Sequence, residues 1–209
     1  IAPDCGQGVL AVLQASQDQL PVDALLTTLI NELAAIADRF IELFRRKAAT
    51  LKQGDPFLED TDLGPMARAD LRDDLHGQVR DSIARGAVPL MGCEPPAGPG
   101  FFYPVSILDH VKPGMRAYDE ELFGPVAVMI RAVDDGEALR VANDNRYGLG
   151  GSVWTRDIRK GENLARRLQS GAAFVNGLVK SDPRLPFGGV KASGYGRELS
   201  VHGIREFVN

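Results

Sequence analysis

One stretch near the C-terminus constrains the fold more than any other: Asn176-Gly-Leu-Val-Lys-Ser-Asp-Pro-Arg-Leu-Pro-Phe-Gly-Gly-Val-Lys-Ala-Ser-Gly-Tyr-Gly-Arg-Glu198. It follows Ala172 to Val175, an apolar run that reads as a buried strand. Pro183 and Pro186 lead into Gly188, Gly189, Gly194 and Gly196. Proline removes a backbone donor and glycine raises the entropic cost of ordering, so this density excludes helix and central strand. The stretch reads as a rigid, irregular loop leaving a strand, a usual place for a binding wall. A solvent loop is the plainer reading of any such cluster.

Length and charge narrow the remaining choices. With 209 residues, 44% of them hydrophobic, the chain can bury a sizeable core. A formal net charge of −4 offers no basic field for nucleic acid. No apolar run reaches the roughly eighteen residues of a membrane-spanning helix, and Ile1 to Asp4 has no basic start of a signal peptide. The first residue is not Met, which predicts a fragment or a processed chain. Cys5 and Cys93 are the two cysteines, which argues against a disulfide scaffold and suits a reducing cytoplasm. His76, His110 and His202 lack the short spacings of a metal site, so no metal is expected.

From Pro21, apolar residues at Val22, Leu25, Leu26, Leu29, Ile30, Leu33 and Ile36 keep helical spacing, and the pattern runs on through Phe40, Phe44 and Leu51. One helix of that length is far above the usual, so a seam is predicted near Ala34-Ala35. Residues 1–35 are expected to be a helical segment, native or fused. Beyond the seam, helices are predicted over Ile36–Lys52 and Ala67–Arg85, with strands at Val88–Met91 and Val126–Ala132. Asp134 or Asp135 can cap a helix to Asn143, and Asp157 one to Leu168, with a strand at Gly151–Thr155 between them. Glu206–Asn209 reads as the start of another extended piece. Strand–helix alternation implies an α/β fold with a parallel sheet.

The terminal stretch resembles a motif of the NAD(P)-dependent aldehyde dehydrogenases, and Ser181 to Glu198 is most similar to their succinate-semialdehyde branch. Glu120-Glu121-Leu122-Phe123-Gly124-Pro125 resembles the family's Glu-Glu-Ile-Phe-Gly-Pro segment. Gly54-Asp55-Pro56, Leu63-Gly64-Pro65, Phe102-Tyr103-Pro104, Ala142-Asn143-Asp144 and Tyr147-Gly148-Leu149-Gly150 agree in the family's order. The resemblance covers about Ala35 to Asn209 and implies a Rossmann-like sheet flanked by helices, with residues 36–209 an incomplete catalytic domain. Gly6 to Ile36 instead resembles the ATPase module of maltose-activator-type regulators, without a phosphate loop; a plain amphipathic helix pair is the other reading.

The resemblance also implies the site. The cofactor is NAD or NADP, the substrate a small aldehyde, and the complete family member a homo-oligomer. Glu121 matches a glutamate that hydrogen-bonds the nicotinamide ribose hydroxyls; alone it reads as a solvated acid. Phe123 matches a residue packing on the nicotinamide; alone it reads as core. Phe187 matches an aromatic lining the aldehyde tunnel. Ser181 falls where the succinate-semialdehyde branch binds the substrate's distal carboxylate. Arg184 can add positive charge there or pin the loop through backbone carbonyls. Asn176 is expected to tether the same loop, with Lys191 and Arg197 structural or at the surface.

No catalytic residue is expected within the chain. The family nucleophile sits in Gly-Gln-x-Cys shortly before the helix that here starts near Ile36. Gly6-Gln7-Gly8-Val9 would put valine in its place, and Cys5 precedes the pair, where members do not carry the thiol. Cys93 reads as a small, partly buried residue. The family's cofactor domain, general-base glutamate and oxyanion asparagine lie upstream of the nucleophile.

Overall fold

The structure, a computed structural model, describes residues 28–32 and 34–208. Cys5, the Gly6-Gln7 pair and most of the regulator-like segment lie outside the described residues. The chain divides into two compact units, built mainly from residues 34–131 and from residue 132 onward.

The first unit holds β2 (Val88–Met91), β3 (Ser106–Asp109) and all but the last residue of β4 (Val126–Ala132); the edge strand β1 (Thr28–Glu32) falls at the division between the units, in a sheet of order β1-β4-β3-β2. Strand β3 runs parallel to β4, with Ser106 opposite Val126 and Leu108 opposite Val128. Strand β2 closes one edge antiparallel to β3. In β4 every residue but Arg131 is buried, which is why the strand reads as one apolar run. Arg131 reaches back to Asp109 on β3 at 2.7 Å and to Asp38 at 2.8 Å. The buried Asp109 carboxylate also accepts the His110 N–H at 2.7 Å, so its charge is partnered.

Two longer helices belong to this unit. Helix α1 (Ala34–Ala48) buries Ala37, Ile41 and Ala48, one stripe at helical spacing. Arg45, Arg46 and Lys47 stand in its last turn, where cations complement the carbonyl end of the helix. Helix α2 (Ala69–Ala84) buries Leu75, Val79 and Ser82. Ser82 Oγ donates to Gln78 O at 2.8 Å and accepts from Ala117 N at 2.9 Å. Ala117 belongs to α3 (Arg116–Asp119), so a buried hydroxyl fixes the short helix against the long one. Gly86, at φ +106°, ends α2 in a left-handed turn that suits glycine.

The second unit is built on a βαβ pair. Strands β6 (Gly150–Val153) and β7 (Ala172–Val175) are parallel, with Gly150 opposite Ala172 and Val153 opposite Val175. Helix α5 (Ile158–Ala165) connects them, its first turn capped by Asp157, which accepts from Lys160 N at 3.0 Å. Before this pair, α4 (Asp135–Asn143) is capped by Asp134, which accepts from Glu137 N at 2.8 Å. Glu137 accepts in turn from Val133 N at 2.8 Å, a reciprocal arrangement akin to a capping box. A second, antiparallel pair joins β5 (Tyr147–Gly148) to β8 (Val190–Lys191). Helix α6 (Ser200–Arg205) follows.

Two expectations are corrected. Residues 28–32 are strand, not a continuation of the Val22–Ile36 helix, and helix starts only at Ala34. Pairing beside β4 overrides the helical spacing, in a segment that carries β-branched Thr28 and Ile30. Near the C-terminus, Ser200–Arg205 is helical and Glu206–Phe207 forms turns, where an extended piece was predicted from Glu206. The parallel α/β organisation and strands β2, β4 and β7 lie where the sequence puts them.

Leu75 is 1% exposed, and its side chain fills the space a Cβ on Gly124 would occupy. Leu75→Ala is expected to cost about 2–5 kcal/mol in urea unfolding, through lost burial and the cavity left behind. A loss under about 1 kcal/mol would mean that this contact is not part of the core.

Candidate functional site

The candidate residues fall into two groups, one in each unit. Glu121 and Phe123 lie on the segment between α3 and β4. Gln78 on α2 fixes that segment, its side-chain amide donating to Glu120 Oε2 at 2.8 Å and to Glu121 O at 3.0 Å. Arg116 Nε also donates to Glu120, at 2.8 Å. These bonds, Arg116 foremost, hold the Glu120 carboxyl below the usual carboxylate range. The adjacent Glu121 is exposed, and among the described residues its carboxylate has no hydrogen bond or ion pair. Phe123 is 49% exposed, so it is not the core residue its type alone suggests. Of two adjacent acids, one anchors and the other is left able to accept from a ligand.

Ser181, Arg184 and Phe187 lie on the loop after β7. Asn176, at φ +51°, opens it: Oδ1 accepts from Thr155 N at 2.9 Å and Nδ2 donates to Thr155 O at 2.8 Å. The expected tether is therefore made. Ser152 Oγ on β6 donates to Gly177 O at 2.8 Å. Phe187 is half-buried and exchanges both backbone bonds with Glu198, at 2.9 and 2.8 Å. A Cβ on Gly171 would overlap the Gly188 carbonyl, so backbone passes backbone just before β7.

Lys191 and Arg197 serve the loop's own structure. Lys191 Nζ donates to Asn143 O at 2.8 Å and Asn145 O at 3.0 Å, satisfying carbonyls where α4 ends. Arg197 Nη1 donates to Gly189 O at 2.9 Å and Gly196 O at 2.6 Å. Ser193 Oγ accepts from Gly148 N at 3.0 Å.

Ser181 is exposed and has no bonding partner among the described residues. Arg184 makes no bond to a loop carbonyl. Its Nε and Nη2 grip the Asp182 carboxylate at 2.9 and 2.6 Å, while its backbone N–H donates to Asp182 Oδ1 at 2.9 Å. Sequence reasoning missed Asp182, although an Asp-Pro-Arg run is a local signal for a turn with a paired charge. It missed Gln78 for a different reason: its partners lie more than forty residues away, at separations of 42 and 43.

Cys93 is the one cysteine among the described residues. It is 2% exposed and its Sγ donates to Met91 O at 3.3 Å. Burial pushes the thiol from its ordinary 9.0 up to about 11, outweighing the opposing pull of the Ser106 hydroxyl. Burial likewise pushes up the Tyr103 hydroxyl, which donates to Cys93 O at 3.2 Å. A nucleophile needs thiolate and access, and Cys93 has neither at neutral pH.

A parallel sheet flanked by helices, with these motif loops leaving its strands, defines a class. Residues 28–209 match the model of the aldehyde dehydrogenase family, and the chain belongs to that family. The match starts at residue 28, ahead of the seam expected near Ala34-Ala35. Among similar proteins, the NAD(P)+ succinate semialdehyde dehydrogenase Sad of Escherichia coli (strain K12) is 50% identical over 174 residues, 83% of this chain and 38% of that protein. The NADP(+) succinate-semialdehyde dehydrogenase 1 of Mycobacterium ulcerans (strain Agy99) is 44% identical over 176 residues, with the same 38% share of its length. The crystal structure of succinic semialdehyde dehydrogenase from Streptococcus pyogenes, in complex with NADP+ as the cofactor, superposes with a TM-score of 0.84 at 35% identity. That match covers 91% of this chain and 41% of the other. The chain thus spans well under half the length of these relatives.

The Cys93 thiol gives a pH dependence with a definite sign. Well below pH 9.0 the group is protonated whether the chain is folded or not. Between 9.0 and about 11 the unfolded chain releases this proton and the folded chain keeps it, so stability falls as pH rises. Urea midpoints at about pH 8 and about pH 10 are expected to differ more for the wild type than for Cys93→Ser. Equal differences in the two chains would contradict this account of the thiol.

Proposed function

We propose that this chain forms part of an NAD(P)-dependent aldehyde dehydrogenase that oxidises a short acidic semialdehyde, such as succinate semialdehyde, to the carboxylic acid. The observation that carries it is the loop after β7, in which bonds at Asn176, Gly177, Pro183 and Phe187 flank Ser181, whose hydroxyl has no partner among the described residues. A hydroxyl without a partner among the described residues can donate to a carboxylate without first giving up another bond. Phe187 stands further along the loop as an aromatic wall. Succinate-semialdehyde dehydrogenases among the similar proteins support the same substrate class.

Glu121 and Phe123 are the residues we assign to the cofactor. A carboxylate without a protein partner can accept from both hydroxyls of a ribose, and a half-exposed phenyl ring can pack on a flat heterocycle. The nicotinamide, when bound, accepts the hydride. The chain's part is to bind and orient. By itself it is expected to be nearly inactive: Cys93 is buried and protonated, and Cys5 stands outside the family's Gly-Gln-x-Cys order. A cytoplasmic homo-oligomer belongs to the same reading.

A second reading, that the chain associates without catalysis, is favoured by the apolar side chains at the C-terminus. Val201, Ile204, Phe207 and Val208 are each at least 61% exposed, more apolar surface than a monomer commonly shows in one short segment. Light scattering over a concentration series separates the two: a mass that stays at one chain throughout removes the second reading.

For the first reading, a hybrid in which residues 36–209 replace the matching part of the Escherichia coli relative is expected to prefer succinate semialdehyde to butyraldehyde. Ser181→Ala should narrow that preference by roughly tenfold or more, since a site built to bond a polar group loses most when the bond is missing. An unchanged ratio sinks the assignment of Ser181. The 209-residue chain alone should show no turnover with either cofactor. Turnover abolished by Cys5→Ser would overturn the expected inactivity.

A further inference from the structure

We propose that Asp182 sets the affinity of this loop for acidic substrates, by occupying the edge of the Arg184 guanidinium that an incoming carboxylate would otherwise take. The inference rests on the reading of this loop as an acid-binding wall. Arginine has five N–H donors in a planar fork. Asp182 takes the side edge, with Oδ1 on Nε at 2.9 Å and Oδ2 on Nη2 at 2.6 Å. This is the two-point geometry with which guanidinium binds any carboxylate. Asp182 is thus a resident mimic of the ligand group.

The pair is preset by the backbone between its members. Arg184 N donates to Asp182 Oδ1 and Leu185 N to Asp182 O, each at 2.9 Å, closing a turn around Pro183. Proline fixes the middle φ, so the pair re-forms with little further loss of chain entropy. Ser200 N donates to Pro183 O at 3.1 Å and holds the turn in place. The Arg184 side chain is 86% exposed, and Asp182 is its one ion-pair partner among the described residues. Its Nη1 has no bond among the described residues, but it stands beside a neutralising charge.

Such an exposed pair is weak, so Asp182 tunes binding rather than blocking it. A carboxylate that reaches Arg184 either displaces Asp182 or accepts the remaining donors against its negative charge. Both routes cost affinity relative to a bare guanidinium. Mild acid does not relieve the competition, because Arg184 holds the Asp182 carboxyl well below the usual range.

The test titrates succinate into the 15N-labelled 209-residue chain at low ionic strength, followed at the Ser181 and Leu185 amides. Asp182→Asn is expected to bind succinate roughly three- to fivefold more tightly than the wild type. Asp182→Glu, which keeps the charge, should return most of the way to the wild-type value. Adding Arg184→Gln to Asp182→Asn should erase the gain. Equal or weaker succinate binding in Asp182→Asn overturns the inference, as does absence of binding in every form. Succinamide, the uncharged diamide, distinguishes the underlying reading. If Asp182→Asn binds both probes alike, the loop does not recognise acids and the reading fails with the inference. If succinate is preferred but equally in both chains, only the role of Asp182 fails.

Discussion

A loop rich in glycine and proline pairs little of its length in a ladder, and the need to satisfy the rest of its backbone shapes the unit built from residue 132 onward. The solution is side chain to backbone. Asn176, Ser152, Ser193, Lys191 and Arg197 each bond a main-chain group in or beside the loop. Where no side chain fits, main chains approach directly, as Gly171 does to Gly188. Strand β6 contributes Ser152 and the end of α4 contributes carbonyls, so the regular elements are held to the loop as much as the loop to them. Residues placed on such a frame have their direction fixed before any ligand arrives, which lowers the entropy lost on binding.

The same logic separates three kinds of charge in the chain. Asp109 is buried, and Arg131 and the His110 N–H partner it. Removing one member of such a group would strand the other, which makes it a structural commitment. Glu120 is exposed but held between Arg116 and Gln78, and what it stabilises is the course of the backbone beside Glu121. Asp182 and Arg184 form a pair that water screens and that a ligand of the right shape can compete for. Burial marks Asp109 as structural, while Glu120 and Asp182 differ in their partners: a helix residue and a distant amide for one, a neighbour two residues away for the other.

Much of this was legible in the sequence, for identifiable reasons. Val126–Ala132 is apolar almost without break, and only a strand buried on both faces needs that. Asp134 and Asp157 stand before helical runs, and both cap them. The loop after Val175 was legible because its composition excludes helix and central strand. What stayed hidden depends on distant partners. Thr28–Glu32 continues a helical period by its residues but lies beside β4, and β5 and β8 are two-residue strands that exist only as a pair. In the site, the glutamate, the serine and the two phenylalanines were marked by motif. Gln78 was not, because its target is fixed by the packing of α2 against α3 rather than by any spacing along the chain.

Cys93 shows why fold and chemistry make opposite demands of one residue type. It sits at φ +73° after β2, its N–H donating to Ser106 Oγ at 2.8 Å and its thiol to Met91 O. Each feature that makes it useful to the core lowers its reactivity: desolvation disfavours the thiolate, and a carbonyl acceptor favours the S–H form. A sulfur that attacks a carbonyl needs the reverse, an open position beside donors that stabilise the anion. Among the described residues, the Glu121 carboxylate and the Ser181 hydroxyl have no partner, and the Arg184 guanidinium is paired with Asp182. Binding groups raise a reaction rate only by holding reactants in line with a group that does the chemistry. On the proposed reading these residues would orient and select, and bond making would fall to a group other than Cys93.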